Sequence, residues 1–148
     1  DAMGQYSDLR LRKALKNSSM LSSDVSAGYD PAFAEAFEKK NSAYLGRGIV
    51  LNKFTGARGK SGSNDASAEY IAYLRGVFAK ENVVWQTGEL GRVDLGGGGT
   101  VAKYMAKRNI DTLDAGVPVL SMHAPYETVA KLDCYMTYKC MKAIFEQA

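Results

Sequence analysis

At 148 residues the chain has the size of one domain, long enough to bury about two thirds of its unfolded surface. An apolar fraction of 46% and a charged fraction of 24% are ordinary for a globular protein; 19 Lys plus Arg against 16 Asp plus Glu leave +3, too mild and too scattered to argue for nucleic acid. No apolar stretch approaches the roughly 18 residues of a membrane span, and no signal-peptide pattern opens the chain; a start at Asp1 without a methionine fits a piece of something longer.

In chain order, helical and extended patterns alternate. "SDLRLRKALKNS" (7–18) reads as a helix, capped by Ser7, with Asp8 at its start and Arg12, Lys13 and Lys16 suiting its end. "MLSSDV" (20–25) is a short strand. Residues 26–47, with Gly28, Pro31 and Gly46, read as a long excursion holding one helical turn. "GIVLNKF" (48–54) is a strand, "TGARGKSGS" (55–63) a glycine- and serine-rich loop, and "NDASAEYIAYLRGVFAKE" (64–81) a helix with Ala68, Ile71, Leu74 and Val77-Phe78 at helical spacing. "NVVWQT" (82–87) is the next strand. After "GGGG" (96–99) comes a helix over 100–109 with Thr100 as cap. "IDTLDAG" and "VPVLSM" are extended and largely buried. The last helix sets Val129, Leu132, Met136, Cys140 and Ile144 on one face.

Strand and helix in turn predict a layered α/β domain, whose ligand site lies beyond the carboxyl ends of the strands. Asp24 and His123 both fall at such ends. His123 is the only histidine, and two readings stay open for it: a structural residue, or one member of a site completed elsewhere. "GGGGT" before a helix suits an anion at the helix N-terminus, or is a flexible turn. It has neither the Lys-Ser/Thr of a P-loop nor the spacing of a dinucleotide loop, and "GKSGS" lacks the first glycine of a P-loop. No G-x-S-x-G elbow presents a serine, which excludes that form of hydrolase. Cys134 and Cys140, six positions apart on one helix, lie about 9 Å apart, beyond disulfide reach. Both read as buried structural thiols, and two unbridged thiols suit a reducing cytoplasm.

Read in order, "MLSSDVSAGYDP", "VLNKFTGARGKSGSNDASAE", "WQTGELGRVDLGGGGTVAKYMAKRNIDTLDAGVPVLSMHAPYE" and "AKLDCYMTYK" (130–139) resemble the carboxy-terminal part of the aspartyl aminopeptidase and vacuolar aminopeptidase I family, a family of di-zinc metallopeptidases. The resemblance runs from about residue 7 onward and looks closest to the bacterial branch. It implies a three-layer α/β/α zinc-peptidase-like fold, of which residues 1–148 would be the carboxy-terminal part of the catalytic domain, with about four strands flanked by helices. It also implies two zinc ions in the complete enzyme. Asp24 in "SSDV" matches the aspartate that holds one zinc, and His123 in "SMHAP" the last histidine, which holds the other. Carboxylate oxygen and imidazole nitrogen are both zinc ligands. Lys53 matches the lysine that reaches toward the substrate, once a small gap is allowed. Gly99 and Thr100 match a Gly-Thr pair of the substrate pocket. Asn64 reads equally as a helix cap or as support behind a ligand.

The family also needs an earlier histidine, a bridging aspartate and an adjacent Glu-Glu pair holding the general base, and none of these motifs occurs in the chain. The inserted β-rich oligomerisation domain that the family carries is absent too. The expectation is therefore a parent aminopeptidase that takes peptide substrates, probes no nucleic acid or membrane, and forms a homo-oligomer. This segment would need the rest of the catalytic domain, would be inactive alone and would bind zinc weakly. The other reading is a non-catalytic binding or assembly module that keeps the fold and two relic ligands; a Glu-Glu pair in the preceding sequence would exclude it. Where other branches carry a histidine shortly after the metal aspartate, this chain has "SAGYDP", so a preference for acidic N-terminal residues does not carry over.

Overall fold

The structure, a computed structural model, describes residues 4, 6–58, 61–92 and 94–147. It opens with α1 (Asp8–Lys16), where the Ser7 hydroxyl accepts from Arg10 N as the sequence predicts. A four-stranded sheet forms the centre, in the order β1 (Ser19–Ser22), β7 (Asp111–Gly116), β3 (Ile49–Asn52), β6 (Trp85–Thr87). β1 pairs parallel with β7 and β3 parallel with β6, whereas β3 and β7 are antiparallel. A smaller sheet joins β2 (Ser26–Ala27), β8 (Pro118–Leu120) and β9 (Thr128–Val129). Two short 3-10 pieces, Pro31–Ala36 and Lys39–Asn41, fill the excursion after β2.

Register sorts the central sheet into two unlike faces, because successive side chains point to opposite sides. Leu21 lies opposite Leu113, and Leu51 opposite Ala115. With Ile49 these residues pack on Tyr70, Leu74, Val77 and Phe78 of α2 (Ala68–Lys80) and on Cys140 and Ala143 of α4 (Lys131–Gln147). Phe78, Leu74, Ile49 and Leu113 are fully buried, each worth about 1.5–3 kcal/mol. On the alternate face Ser22 lies opposite Asp114, and Asn52 opposite Asp114 from the other side. All three are buried, and the short helix α3 (Ala102–Ala106) packs on β7 and β1 beside them. The fold is thus the layered α/β arrangement that the sequence predicts, built on a mixed sheet of four strands.

Several expectations need correction. The stretch 55–63 is not simply a loop: β4 (Phe54–Ala57) and β5 (Ser61–Asp65) form an antiparallel hairpin, and Gly59 and Lys60 lie outside the described residues. Pairing across the hairpin satisfies the main chain where composition suggests only a loop. Asn64 therefore sits in β5, and the cap of α2 is Ser67, whose hydroxyl accepts from Tyr70 N. The helix predicted over 100–109 shrinks to five residues. The face of α4 is also different. Val129 belongs to β9 and Leu132 is exposed, while Asp133, Met136, Cys140 and Ala143 turn inward. Cys140 is buried as predicted, but Cys134 is exposed.

Asp133 is buried because its carboxylate is fully used. One oxygen accepts from Gly46 N and the other from Gly48 N, both at 2.7 Å. Gly48 has φ +86, and a Cβ there would lie 2.1 Å from the Val84 carbonyl oxygen, so this turn demands glycine.

Candidate functional site

Asp24 follows β1 by two residues and is exposed. Its Oδ1 accepts from Val25 N at 2.9 Å. Its main chain is held against Gly116: a Cβ at Gly116 would lie 1.7 Å from the Asp24 carbonyl oxygen. That close approach lets the chain pass from β1 into β2, where Ser26 N donates to the Val117 carbonyl. Asp24 therefore stands just before the paired stretch of β2 and β8.

His123 lies beyond the other end of that stretch, in the turn joining β8 to β9. It is exposed, with φ +69, and Ser121 has φ +59. Left-handed residues that are not glycine cost of order 1 kcal/mol or more and cluster at functional turns. The turn is closed twice: Ala124 N donates to the Ser121 carbonyl at 2.9 Å, and His123 N donates to Glu127 Oε1 at 2.6 Å. Glu127, four residues after the histidine, is a contributor that sequence reading missed. An acidic side chain near a metal-type histidine was the available signal. Both candidate ligands have donor atoms of the right chemistry for zinc and exposed side chains. Among the described residues, no group of three or more His, Cys, Asp or Glu could hold a metal ion.

Lys53, between β3 and β4, is half-exposed and pairs with Asp65 of β5. It lines a cleft of about 620 Å³ with Phe54, Thr55, Asp65, Glu89, Arg92, Gly96 and Gly97. The cleft thus joins Lys53 to the first half of the glycine run, while Asp24, Gly99, Thr100 and His123 lie outside its lining.

The four glycines are not equivalent. Gly97 has φ +101, and a Cβ there would lie 2.0 Å from the Gly56 carbonyl oxygen. A Cβ at Gly96 would lie 2.7 Å from Arg92 N, whereas at Gly98 the nearest atom is a Leu90 methyl at 3.8 Å. Arg58 N donates to the Gly96 carbonyl at 3.2 Å, so the run is laid along the β4–β5 hairpin. At Gly99 a Cβ would meet the end of the Lys103 side chain at 3.1 Å. Thr100 then turns inward. Its hydroxyl donates to Asp114 Oδ2 at 2.6 Å and accepts from Ala102 N at 3.2 Å. The polar row continues beyond Asp114, since Ser26 Oγ donates to Asn52 Oδ1 at 3.2 Å. With α3 only five residues long, its positive end is a small contribution to any anion site.

Comparison with known proteins follows the same lines. A relative in Clostridium acetobutylicum, named "Probable M18 family aminopeptidase 1", is 60% identical over 134 residues, covering 90% of this chain and 29% of its own length. The crystal structure of aminopeptidase I from Clostridium acetobutylicum is 56% identical, with a TM-score of 0.87 over 95% of this chain and 30% of that one. The Thermotoga maritima M18 structure is 40% identical, with a TM-score of 0.89 over 97% of this chain and 32% of that one. The chain therefore spans under a third of the length of these relatives. The profile of the aminopeptidase I zinc metalloproteases matches residues 2–145, which covers the sheet, both glycine turns and both candidate ligands, and the chain belongs to that M18 family.

Proposed function

We propose that the chain is the carboxy-terminal part of the catalytic domain of a di-zinc aminopeptidase, which removes the N-terminal residue of peptides. Membership of a zinc metalloprotease family is the observation that carries this reading. Within it, Asp24 holds one zinc and His123 the other, while Lys53, Gly99 and Thr100 serve the substrate pocket. When bound, zinc supplies Lewis acidity toward the scissile carbonyl and a water acidic enough to attack it. The chain's own residues do the rest of what falls to them. Gly116 and the β2 start hold the Asp24 main chain, Glu127 holds the His123 turn, and the glycine run brings peptide amides to the cleft edge.

The general base and the bridging ligand belong to the rest of the catalytic domain, so this segment alone is inactive. Two ligands supply neither the coordination number nor the bridge of such a site, and zinc binding by the segment is weak. We also propose a cytoplasmic parent, on the two unbridged thiols of this segment, and read it as a homo-oligomer. The exposed Tyr135, Tyr138 and Phe145 on the outer side of α4 are a surface that assembly would cover.

The test has two arms. In the full-length parent, Asp24→Ala and His123→Ala should each remove about one equivalent of tightly bound zinc and lower kcat/KM by at least about a hundredfold. Retention of two zinc ions with normal turnover by either variant would refute the ligand assignment. The isolated segment, incubated with zinc, should leave aminoacyl p-nitroanilides intact. Cleavage by the segment that a chelator abolishes would refute its dependence on the rest of the domain.

A further inference from the structure

Among the described residues, the site described above leaves one buried carboxylate without a task. Asp114 is fully buried on an inner strand of the four-stranded sheet, on the face turned away from the core formed with α2 and α4. Its Oδ2 accepts from Thr100, and its Oδ1 has no partner among the described residues. A buried carboxylate is costly unless it is hydrogen-bonded, so its burial here depends on the Thr100 hydroxyl, and the bond ties the two residues together. We propose that Asp114 is a positioning residue for the substrate pocket: it anchors the glycine run through the Thr100 hydroxyl.

The inference rests on the reading that Gly99 and Thr100 serve that pocket, and it changes what Thr100 does there. A threonine hydroxyl has one proton. Here that proton is given to Asp114, while the oxygen accepts from Ala102 N. The side chain therefore has no donor left for a substrate, and what the pair can offer a bound peptide is main chain. Main chain in a glycine run is useful only if something fixes it, because glycine leaves both dihedrals loose. Gly97 is fixed by its contact with Gly56 at one end of the run, and Thr100 by Asp114 at the other. Gly98 and Gly99 are suspended between these two anchors. Asp114 can serve as an anchor because it sits between Ser22 and Asn52 in register, on an inner strand flanked by β1 and β3.

The experiment uses the full-length zinc enzyme and the aminoacyl p-nitroanilide it cleaves fastest. Thr100→Val and Asp114→Ala should each raise KM about tenfold with kcat within about threefold. Since both remove one anchor, the double variant should be no worse than the weaker single. Thr100→Ser, which keeps the donor, should bring KM back to within about twofold of the parent. If Asp114→Ala does not fold, Asp114→Asn replaces it; that variant keeps an acceptor oxygen but loses the charge, and KM should rise about threefold. Gly99→Val separates the two ideas, since its added bulk meets mainly the flexible end of Lys103. If Gly99→Val impairs KM but Thr100→Val does not, or if the two single effects add, the anchoring role is overturned. The same holds if Thr100→Ser behaves like Thr100→Val. If Gly99→Val itself changes neither KM nor kcat, the pocket reading falls and the anchor with it.

Discussion

The two faces of the central sheet are built from the same strands and solve opposite problems. Toward α2 and α4, Leu21, Ile49, Leu51, Leu113 and Ala115 meet an apolar stripe and close into a core. Toward α3 and the glycine run, Ser22, Asn52, Thr112 and Asp114 are just as buried but polar. The first face makes the domain stable, since apolar area removed from water is its main favourable term. The second is expensive to bury and is held by a few directed hydrogen bonds. Candidate substrate-pocket residues adjoin the second face. Leu21 and Ser22, Leu51 and Asn52, and Leu113 and Asp114 thus set the apolar core and the buried polar row one residue apart on β1, β3 and β7.

Substitutions should respect that separation. The largest effect is expected at Phe78, fully buried on the apolar face: Phe78→Ala should cost about 4 kcal/mol in chemical denaturation. The fraction of full-length enzyme that remains folded should keep its normal KM. A raised KM there would mean that the two faces are coupled. Next comes the glycine run. Gly97→Ala drives a Cβ into the Gly56 carbonyl at a positive φ and should cost about 3 kcal/mol, whereas Gly98→Ala should stay within about 0.5 kcal/mol. Equal behaviour of the two would erase the distinction between a shaped loop and a floppy one.

A smaller effect depends on pH. Burial pushes the Cys140 thiol from its ordinary 9.0 up to about 12. The folded state holds that proton more tightly than the unfolded state, so the contribution is fully present below about pH 9 and is lost as pH rises toward about 12. Urea midpoints should therefore fall between pH 8 and about 10.5, and Cys140→Ala should flatten the slope. It should not abolish it, because burial also raises the Tyr70 phenol above its usual 10.0. At neutral pH a thiol reagent should label the exposed Cys134 quickly and Cys140 only on unfolding; two fast thiols would mean that the apolar face is open. The smallest stability changes are expected at the exposed candidate ligands. Asp24→Asn and His123→Ala should shift the midpoint of the metal-free segment by under about 0.5 kcal/mol. A larger loss would make them structural residues first.

Much of the apolar half was legible from spacing alone. The periodicity of α2, the Ser7 cap and the runs that became β1, β3 and β7 are local signals, and they survived tertiary packing. Asp133 was not legible, because an aspartate in a helix's first turn looks like an ordinary favourable charge at that end. Only the distant Gly46–Gly48 turn explains why it is buried. The β4–β5 hairpin was hidden by its glycines and serines, whose composition favours a loop until a partner strand is known. On α4, Met136 and Cys140 face inward as their spacing predicts, but the inward position in the first turn is Asp133 rather than Leu132, and Cys134 is exposed. In the candidate site, residue types came from resemblance, and their chemistry was sound. What no pattern could give was the direction of the Thr100 hydroxyl or its partner on β7, where Asp114 stands between the apolar Leu113 and Ala115.

The carboxylate of Asp133 also says something about order in time. Its two acceptors close on donors 87 and 85 residues earlier in the chain. Contacts at such separations form only after the intervening chain has been organised, because a long loop must first be closed. The Gly46–Gly48 turn leads directly into β3, which is buried along its whole length. Until α4 docks, that turn has no acceptor for two of its amides, and the edge where Ile49 begins is unsecured. The helix therefore acts as a latch on the start of β3, and the Gly46 and Gly48 amides should lose hydrogen-exchange protection together with α4.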